Sequence, residues 1–252
     1  MSEDILRRHH NAWTEKPVLR KLYGSWYREI SGWLRPGLTV EVGGGSGNLK
    51  EFSPRVLCTD VVKMPWLDAL VDAQHLPFRG KSVSNIVLFD VLHHLENVRY
   101  FFDEALRVLV PSGRIVIMDP YVSALSWPVY RFLHPEPMDF GRDPLAIVAP
   151  LPQRRPFDAN QAVARIVFER SYDRFRQLYP HFTKIAHERL AFFAYPLSGG
   201  FDRPSLLPLW SIDALLRFER WCRRLGRLLA FRLLVVLEKT SERDAQSRHY
   251  DR

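Results

Sequence analysis

Short apolar runs and longer amphipathic segments alternate along most of this chain. Runs of strand length begin near residues 38, 55, 69, 85, 114, 186 and 231, and helical periodicity covers residues 1–35, 97–110 and 205–225. Strands that alternate with helices favour a parallel sheet joined by helical crossovers. The apolar run at 85–92 holds a single acid, Asp90, which is typical of a central strand buried on both faces. The pattern predicts an α/β fold around a doubly wound, seven-stranded, mostly parallel sheet.

The composition supports a large folded unit in a reducing compartment. The chain has 252 residues, 46% of them hydrophobic and 13% aromatic, which is enough for a sizeable core. The two cysteines, Cys58 and Cys222, lie far apart in apolar segments, which argues against a disulfide framework. The N-terminal residues lack the apolar stretch of a secretion signal, and no run of about 20 apolar residues is present. These features predict a cytoplasmic protein.

Residues 38–47 read as a buried strand that ends in a glycine-rich turn and opens a short helix. Gly43, Gly45 and Gly47 remove side chains where the backbone must turn tightly and a ligand can come close. Backbone N–H groups at such a turn suit a polar or anionic ligand. Because Asn48 takes the place of the last glycine, the spacing differs from the dinucleotide-binding fingerprint.

The pattern that begins at Glu41 is Glu-x-Gly-x-Gly-x-Gly, and it resembles the first motif of class I S-adenosylmethionine-dependent methyltransferases. The resemblance implies S-adenosylmethionine as the cofactor, with Glu41 facing its methionine amino group and with Gly43, Gly45 and Gly47 around it. It also implies a Rossmann-like sheet with an antiparallel last strand and N-terminal helices over the site. The motifs of this family that we identify span residues 38–120.

Two further segments follow the second and third strands. Asp60 ends the second strand 19 positions after Glu41, where a carboxylate can bind a ribose diol; an ordinary helix cap is the alternative. Val61 would then lie near the adenine. By the same resemblance, Asp72 would accept a hydrogen bond from the adenine amine, and the Ala73 N–H would donate to a ring nitrogen.

Residues 89–95, Phe-Asp-Val-Leu-His-His-Leu, resemble the fourth-strand motif of small-molecule methyltransferases. Asp90, His93 and His94 would lie where the methyl group emerges. Histidine titrates near neutral pH, so His94, and after it His93, is the candidate general base; a structural histidine is the alternative. The motif differs from the Asn-Pro-Pro-Tyr type that methylates nucleobase amines. No metal site is expected.

The acceptor would enter between the first helices and a long insertion. Tyr23 and Tyr27 are one helical turn apart and could line the mouth or simply pack on the sheet. The proline-rich segment 121–184, which includes Pro150, Pro152 and Pro156, is too long for a plain loop and is predicted to cover the mouth. A helix is predicted from Phe157 with Asp158 as its cap. His134 and Asn160 are candidate substrate contacts, with turn formation as the alternative.

The predicted division of the chain is a helical cover at 1–37, a cofactor-binding core at 38–120, the insertion at 121–184, the end of the core sheet at 185–239 and a polar tail at 240–252. A sixth strand is predicted at 186–195 and a helix at 205–225. That helix carries the apolar stripe Leu207, Trp210, Ala214, Phe218, Trp221 and Leu225, with arginines opposite. Such a helix either lies on an anionic membrane or packs its stripe on the sheet, and the second interpretation is preferred.

The resulting hypothesis is an S-adenosylmethionine-dependent methyltransferase that acts at an oxygen, carbon or nitrogen atom of a small, lipid-linked or glycan-linked acceptor. Thirty-six basic and 28 acidic residues give a net charge of +8, which suits either an anionic partner, such as the inner face of a membrane, or a merely solvated surface. A non-catalytic cofactor-binding module and an RNA methyltransferase stay open, although nucleic acid has only the charge in its favour. The sequence leaves the oligomeric state open.

Overall fold

A seven-stranded mixed sheet forms the centre of the molecule. In the computed structural model, which describes residues 2–149, 155 and 157–241, the strands are β1 (Thr39–Val42), β2 (Val56–Asp60), β3 (Ala69–Leu70), β4 (Val83–Phe89), β5 (Leu109–Pro120), β6 (Phe182–Leu190) and β7 (Arg232–Lys239). They lie in the order β3-β2-β1-β4-β5-β7-β6. Strands β1 to β5 are parallel, and β7 runs antiparallel to β5 and β6. The predicted doubly wound sheet with an antiparallel last strand is confirmed.

Helices cover both faces of this sheet. They are α1 (Ser2–Glu15), α2 (Pro17–Gly32), α3 (Val98–Val108), α4 (Ser126–Phe132), α5 (Val163–Arg165), α6 (Tyr172–Leu178), α7 (Ala194–Leu197), α8 (Ile212–Trp221) and α9 (Gly226–Leu229). Single 3-10 turns occupy Asn48–Glu51, Leu92–His94, Leu209–Ser211 and Cys222–Leu225, and a π-helical turn occupies Ile166–Arg170. Pro17 suits the first position of α2 because its missing N–H would be unsatisfied there in any case. No helix among the described residues is both long and apolar enough to cross a membrane.

The two faces of the sheet bury separate apolar clusters. Along β4, Ile86 and Leu88 pack into the cluster that α3 and α6 cover, whereas Val87 and Phe89 pack into the cluster under α2. This alternation follows from the period of two in a strand. It explains why the β4 sequence is apolar throughout, since both of its faces are covered.

The carboxyl ends of the parallel strands meet at one edge of the sheet. Asp60 ends β2 and Asp90 follows β4 at this edge. Because β7 is antiparallel, its first residue, Arg232, reaches the same edge, where it pairs in register with Pro120 and Leu190. Ligands of open α/β sheets bind at such an edge.

Strand β6 and the helix predicted from Phe157 have bounds that differ from the prediction. β6 covers Phe182–Leu190 rather than 186–195, because Ala191 adopts a φ of 59° and ends the strand. The helix predicted from Phe157 begins only at Val163. The Asp158 carboxylate does not cap it, because it accepts a hydrogen bond from the N–H of Arg155, which precedes it in the chain. Pro150, Pro152, Pro156 and tail residues 242–252 lie outside the described residues.

The helix predicted at 205–225 is broken into 3-10 turns around a ten-residue α8, and its predicted apolar stripe faces outward. Trp210, Phe218 and Trp221 are 81%, 53% and 90% exposed. The inward face carries Ile212 and Glu219, whose carboxylate accepts hydrogen bonds from the N–H groups of residues 193 and 194. The preferred interpretation, in which this stripe packs on the sheet, is therefore wrong.

Candidate active site

The glycine turn after β1 has the conformation that its glycines permit. Gly43, Gly45 and Gly47 have φ angles of 69°, 44° and 72°, in the left-handed region that other residues rarely adopt. A Cβ atom on Gly43 would lie 2.4 Å from a methyl group of Val91, so the Val91 side chain leaves no room for a larger residue at this position. The helix that follows the turn is a single 3-10 turn, so the turn itself, rather than a helix dipole, presents the N–H groups.

The two acids predicted to hold the ends of the cofactor lie on the same face of the sheet. Glu41 is the register partner of Cys58, whose Sγ–H donates to Glu41 Oε2 over 3.0 Å. Asp60 follows Cys58 by two residues, so its side chain points to the same face. Asp60 Oδ2 accepts a hydrogen bond of 3.0 Å from the Gly45 N–H, which couples the acid to the glycine turn. Burial raises the pKa of Glu41 to about 7 and also raises that of Asp60.

Helix α1 lies over the glycine turn. His10 Nδ1 lies 3.0 Å from the Ser46 carbonyl oxygen, and its ring stacks on Trp66 at 3.9 Å between centroids. Trp66 Nε1–H in turn donates to the Gly45 carbonyl oxygen over 2.8 Å. A methyl group of Leu6 lies 3.3 Å from the place of a Gly45 Cβ atom. Helix α1 thus contacts the glycine turn through Leu6 and His10, whereas the contacts of His10 and Trp66 gave no recognisable signal in the sequence.

The acid after β3 is engaged in its own turn. Asp72 Oδ1 accepts a hydrogen bond of 2.8 Å from the Gln74 N–H, and Asp72 Oδ2 lies 3.2 Å from His75 Nδ1. Ala73 is buried beside it, whereas Val61 on the neighbouring connection is exposed. The Asp72 carboxylate keeps free lone pairs, because each oxygen can accept more than one hydrogen bond.

Asp90 forms an ion pair that sequence reasoning missed. It adopts a φ of 59° directly after β4, and its Oδ1 contacts Nη1 of the buried Arg232. The guanidinium of Arg232 lies 4.6 Å from the ring centroid of Tyr195 and 5.5 Å from that of Trp26. In the sequence, Arg232 is visible as an arginine at the start of an apolar strand, but its pairing with Asp90 is shown only by the fold. Asp90 thus neutralises a cation inside an aromatic enclosure.

A cluster of histidines and acids lies at the end of β4, under the insertion. His93 Nδ1 is 2.9 Å from Asp119 Oδ1, and His93 Nε2 is 3.4 Å from Glu136 Oε2. His94 Nε2 and His134 Nδ1 each lie 3.8 Å from an oxygen of Glu136. Burial alone would lower the pKa of His93, but the two carboxylates outweigh it and raise that pKa to about 10. Burial would raise the pKa of Glu136, yet the histidines hold it at about 2.

This cluster brings together three of the predicted site residues, His93, His94 and His134, and it changes the role expected of His93. As long as no metal ion displaces a proton, the raised pKa keeps both ring nitrogens of His93 protonated at neutral pH, so His93 does not serve as the general base. His94 is partly exposed, and its Nδ1 lies 3.4 Å from the carbonyl oxygen of Asp158. Asn160 is buried and uses its amide to hold Asp139, while its N–H donates to the His93 carbonyl oxygen. Asn160 therefore fastens the insertion onto the cluster.

The predicted mouth residues lie in the core. Tyr23 and Tyr27 are 3% and 5% exposed, and their rings lie 5.6 and 5.2 Å from that of Phe89. Packing on the sheet, the alternative interpretation of these tyrosines, describes their surroundings. Two clefts of about 410 and 370 Å³ run along α2, and neither Gly45 nor Asp90 lines them.

Comparisons with known proteins agree with this geometry. Residues 40–117 match the model of a methyltransferase domain family. A SAM dependent methyltransferase structure from Archaeoglobus fulgidus superposes with a TM-score of 0.52 and 12% identity, over 87% of this chain and 94% of its own. A chain of the Haloferax volcanii complex that contains the Trm112 methyltransferase activator superposes with a TM-score of 0.51 and 13% identity, over 95% and 96%. No curated protein matches the chain. The structural likeness, at these identities, concerns the fold.

Proposed function

We propose, on the premise that residues 40–117 form a methyltransferase domain in a fold of the class I S-adenosylmethionine-dependent type, that this chain methylates a lipid-linked acceptor at an anionic membrane surface. The cofactor supplies an electrophilic methyl group on a sulfonium. The observation that carries the choice of acceptor is the exposed aromatic face of α8. The residues that would bind the cofactor and accept the proton are chosen from those at the carboxyl edge of the sheet.

For the cofactor we assign Glu41 to the methionine ammonium and Asp60 to the ribose hydroxyls. Their position on one face, about the glycine turn, supports this assignment. The Asp72 carboxylate and the Ala73 N–H would meet the adenine, with Val61 on its outer side. Buried carboxylates whose pKa values are raised gain most from a cationic partner, which is what the ammonium group supplies to Glu41.

Methyl transfer is an in-line displacement, so positioning of the two reactants supplies much of the rate. With a hydroxyl acceptor, the new oxygen–carbon bond forms as the sulfur–carbon bond breaks, S-adenosylhomocysteine leaves, and the hydroxyl proton must go to a nearby group. The cluster of His94 and Glu136 is our candidate for that group, since it adjoins the residues that follow β4. The ion pair of Asp90 with Arg232 fixes the backbone there.

The outward apolar surface is the set of exposed apolar residues on and around α8 and α9. They are 45–90% exposed and comprise Leu206, Leu209, Trp210, Phe218, Trp221, Leu225 and Leu228. The same segment exposes Arg217, Arg220, Arg224 and Arg227. Tryptophan beside arginine is the pattern of a helix that lies in the interface of an anionic bilayer, where each basic residue near the surface is worth about 1 kcal/mol.

A cleft lies between α2 and the inner side of α8. It has a volume of about 370 Å³ and is lined by α2, by residues 190–192 after β6 and by the inner side of α8. Arg28, Arg217, Arg220 and Arg223 contribute to its lining. Although Glu29, Asp213 and Glu219 also line it, its four arginines suit a phosphate or other anionic head group of a lipid-linked acceptor.

The membrane part of the proposal is tested by flotation of the protein with vesicles of phosphatidylcholine, with and without phosphatidylglycerol. We expect binding that requires the anionic lipid and that Trp210→Ser with Trp221→Ser abolishes. Leu70→Ser is the matched control, because Leu70 is also exposed but lies on β3 at the opposite edge of the sheet. Binding that is absent, or equal in all variants, contradicts a membrane role and leaves a protein partner for this surface.

The catalytic part is tested with S-adenosylmethionine that carries a tritiated methyl group, added with the protein to a cell extract. We expect label in the organic phase after lipid extraction, insensitive to RNase. Label in RNA would favour the RNA methyltransferase hypothesis, for which the net charge of +8 is the supporting observation. Cofactor binding in calorimetry without any labelled product would favour the non-catalytic module.

A further inference from the structure

We propose that His93, His94 and Glu136 form a binding site for a divalent transition-metal ion. One ligand atom from each of the three side chains lies within 4.8 Å of the other two. The two histidines come from the turn after β4 and the glutamate from the insertion, so the fold brings together groups that are distant in sequence. Metal binding does not depend on methyl transfer and can be measured without it.

The distances agree with a shared central ion. In a tetrahedral site with metal–ligand bonds of about 2.0–2.2 Å, neighbouring ligand atoms are roughly 3.3–3.6 Å apart. Here His93 Nε2 lies 3.4 Å from one oxygen of Glu136, and His94 Nε2 lies 3.8 Å from the other. The two imidazole rings are adjacent, with centroids 4.1 Å apart. Small adjustments of the side chains would therefore complete the coordination.

Hydrogen bonds with Asp119 and Gln161 orient two of the three ligands. Asp119 is completely buried, and its contact with His93 Nδ1 directs the other ring nitrogen, Nε2, toward Glu136. This carboxylate–histidine arrangement is the one that accompanies histidine ligands of metals. Glu136 in turn accepts a hydrogen bond from the amide of Gln161. Oδ2 of Asp119 and Oε1 of Gln161 are buried without a hydrogen-bond partner among the described residues, so the polar groups around the cluster are incompletely satisfied.

The donor set selects the class of metal. Two imidazoles and one carboxylate suit zinc, iron, cobalt or manganese, whereas magnesium and calcium prefer oxygen ligands throughout. Three protein ligands leave a fourth position open, as in catalytic rather than structural zinc sites. On the proposed function, that position would bind the acceptor's oxygen and lower the pKa of its hydroxyl, and the hydroxyl proton would pass to solvent water instead of to the ligating His94 and Glu136.

An ion-pair cluster of protonated histidines is the competing explanation, and direct metal titration separates the two. Untagged protein, prepared without added metal, is titrated with Zn²⁺ by calorimetry and with Co²⁺ by visible absorption. We expect one equivalent to bind and the Co²⁺ spectrum to show low-symmetry coordination by nitrogen and oxygen. S-adenosylhomocysteine binding is measured on the same samples as an independent check of folding and of the cofactor site.

The variants locate the site. Gln161→Ala removes only the hydrogen bond to Glu136 and should weaken Zn²⁺ binding by about 10-fold to 100-fold. His94→Ala and Glu136→Gln each remove a ligand and should weaken Zn²⁺ binding by more than that. His187→Ala is the matched control, because His187 also faces a carboxylate, Glu169, at 3.5 Å but belongs to no group of three possible ligands among the described residues. Equal binding in wild type, His94→Ala and Glu136→Gln, or no saturable binding in the wild type, would overturn the proposal.

Discussion

The buried carboxyl of Glu41 should make the cofactor-free protein less stable as the pH rises. Burial raises its pKa from the ordinary 4.5 to about 7. In the unfolded chain the group ionises near 4.5, so between these pH values the folded state binds more protons than the unfolded state. The free energy of unfolding must therefore fall as pH increases through this window, and the loss is complete above pH 7. Glu41→Gln removes the charge and with it this dependence.

The difference between the two pKa values corresponds to about 3 kcal/mol, of which roughly 2 kcal/mol accrue between pH 5.5 and 8. Urea denaturation of wild type and Glu41→Gln at both pH values gives four free energies of unfolding. Other groups titrate in both proteins and cancel in the comparison. We expect Glu41→Gln to gain about 2 kcal/mol relative to wild type on going from pH 5.5 to 8.

The same substitution should weaken cofactor binding. A hydrogen bond to a charged group contributes about 1.5–3 kcal/mol, so S-adenosylhomocysteine should bind roughly tenfold to hundredfold less tightly to Glu41→Gln at pH 8. Glu219→Gln is the matched control, since Glu219 is equally buried but bonds to the N–H groups of Phe193 and Ala194. Unchanged affinity in Glu41→Gln, or a stability difference that does not vary with pH, would refute the reasoning.

Three further substitutions test the scaffold of the site by chemical denaturation. Gly43→Ala forces a φ of 69° on a residue with a Cβ atom and drives that atom against Val91, so we expect a loss of at least ~1 kcal/mol; an unchanged midpoint would contradict the turn geometry. Asp90→Asn leaves the cation of buried Arg232 uncompensated and should cost about 3–5 kcal/mol, part of which Asp90→Asn with Arg232→Met should restore. Phe102→Ala empties a fully buried site and should cost about 3–5 kcal/mol, and a cost below ~1 kcal/mol would contradict its position in the core.

The strands and the glycine turn were predictable because their signals are local. An apolar run of strand length, a change of period and three glycines at fixed spacing are all read within about ten residues. The pairing of Asp119 with His93 joins the end of β5 to the turn after β4, and that of Asp90 with Arg232 joins the end of β4 to the start of β7. Neither pairing leaves a mark in the local pattern, so only the fold shows them.

The outward apolar surface shows the limit of periodicity in another way. A stripe with a helical period tells which residues share a face but not whether that face meets the sheet or the solvent. Leu215 and Leu216 pack partly against the core under α2, and Glu219 supplies the hydrogen bonds that fix this orientation. A buried glutamate is unusual, so nothing in the sequence favoured placing Glu219, in preference to the apolar stripe, on the inner face of α8.

If the glycine turn holds the cofactor as proposed, the position of α1 over that turn implies that the first turns of the chain move aside when S-adenosylhomocysteine is exchanged for fresh cofactor. Its far end is anchored, because Lys16 Nζ donates to backbone carbonyls of residues 200 and 203 and Trp13 Nε1–H donates to Glu51. The leading residues touch the glycine turn through Leu6 and His10. On the proposed function, the junction at Lys16 and Pro17 is where a movement of the leading residues would hinge.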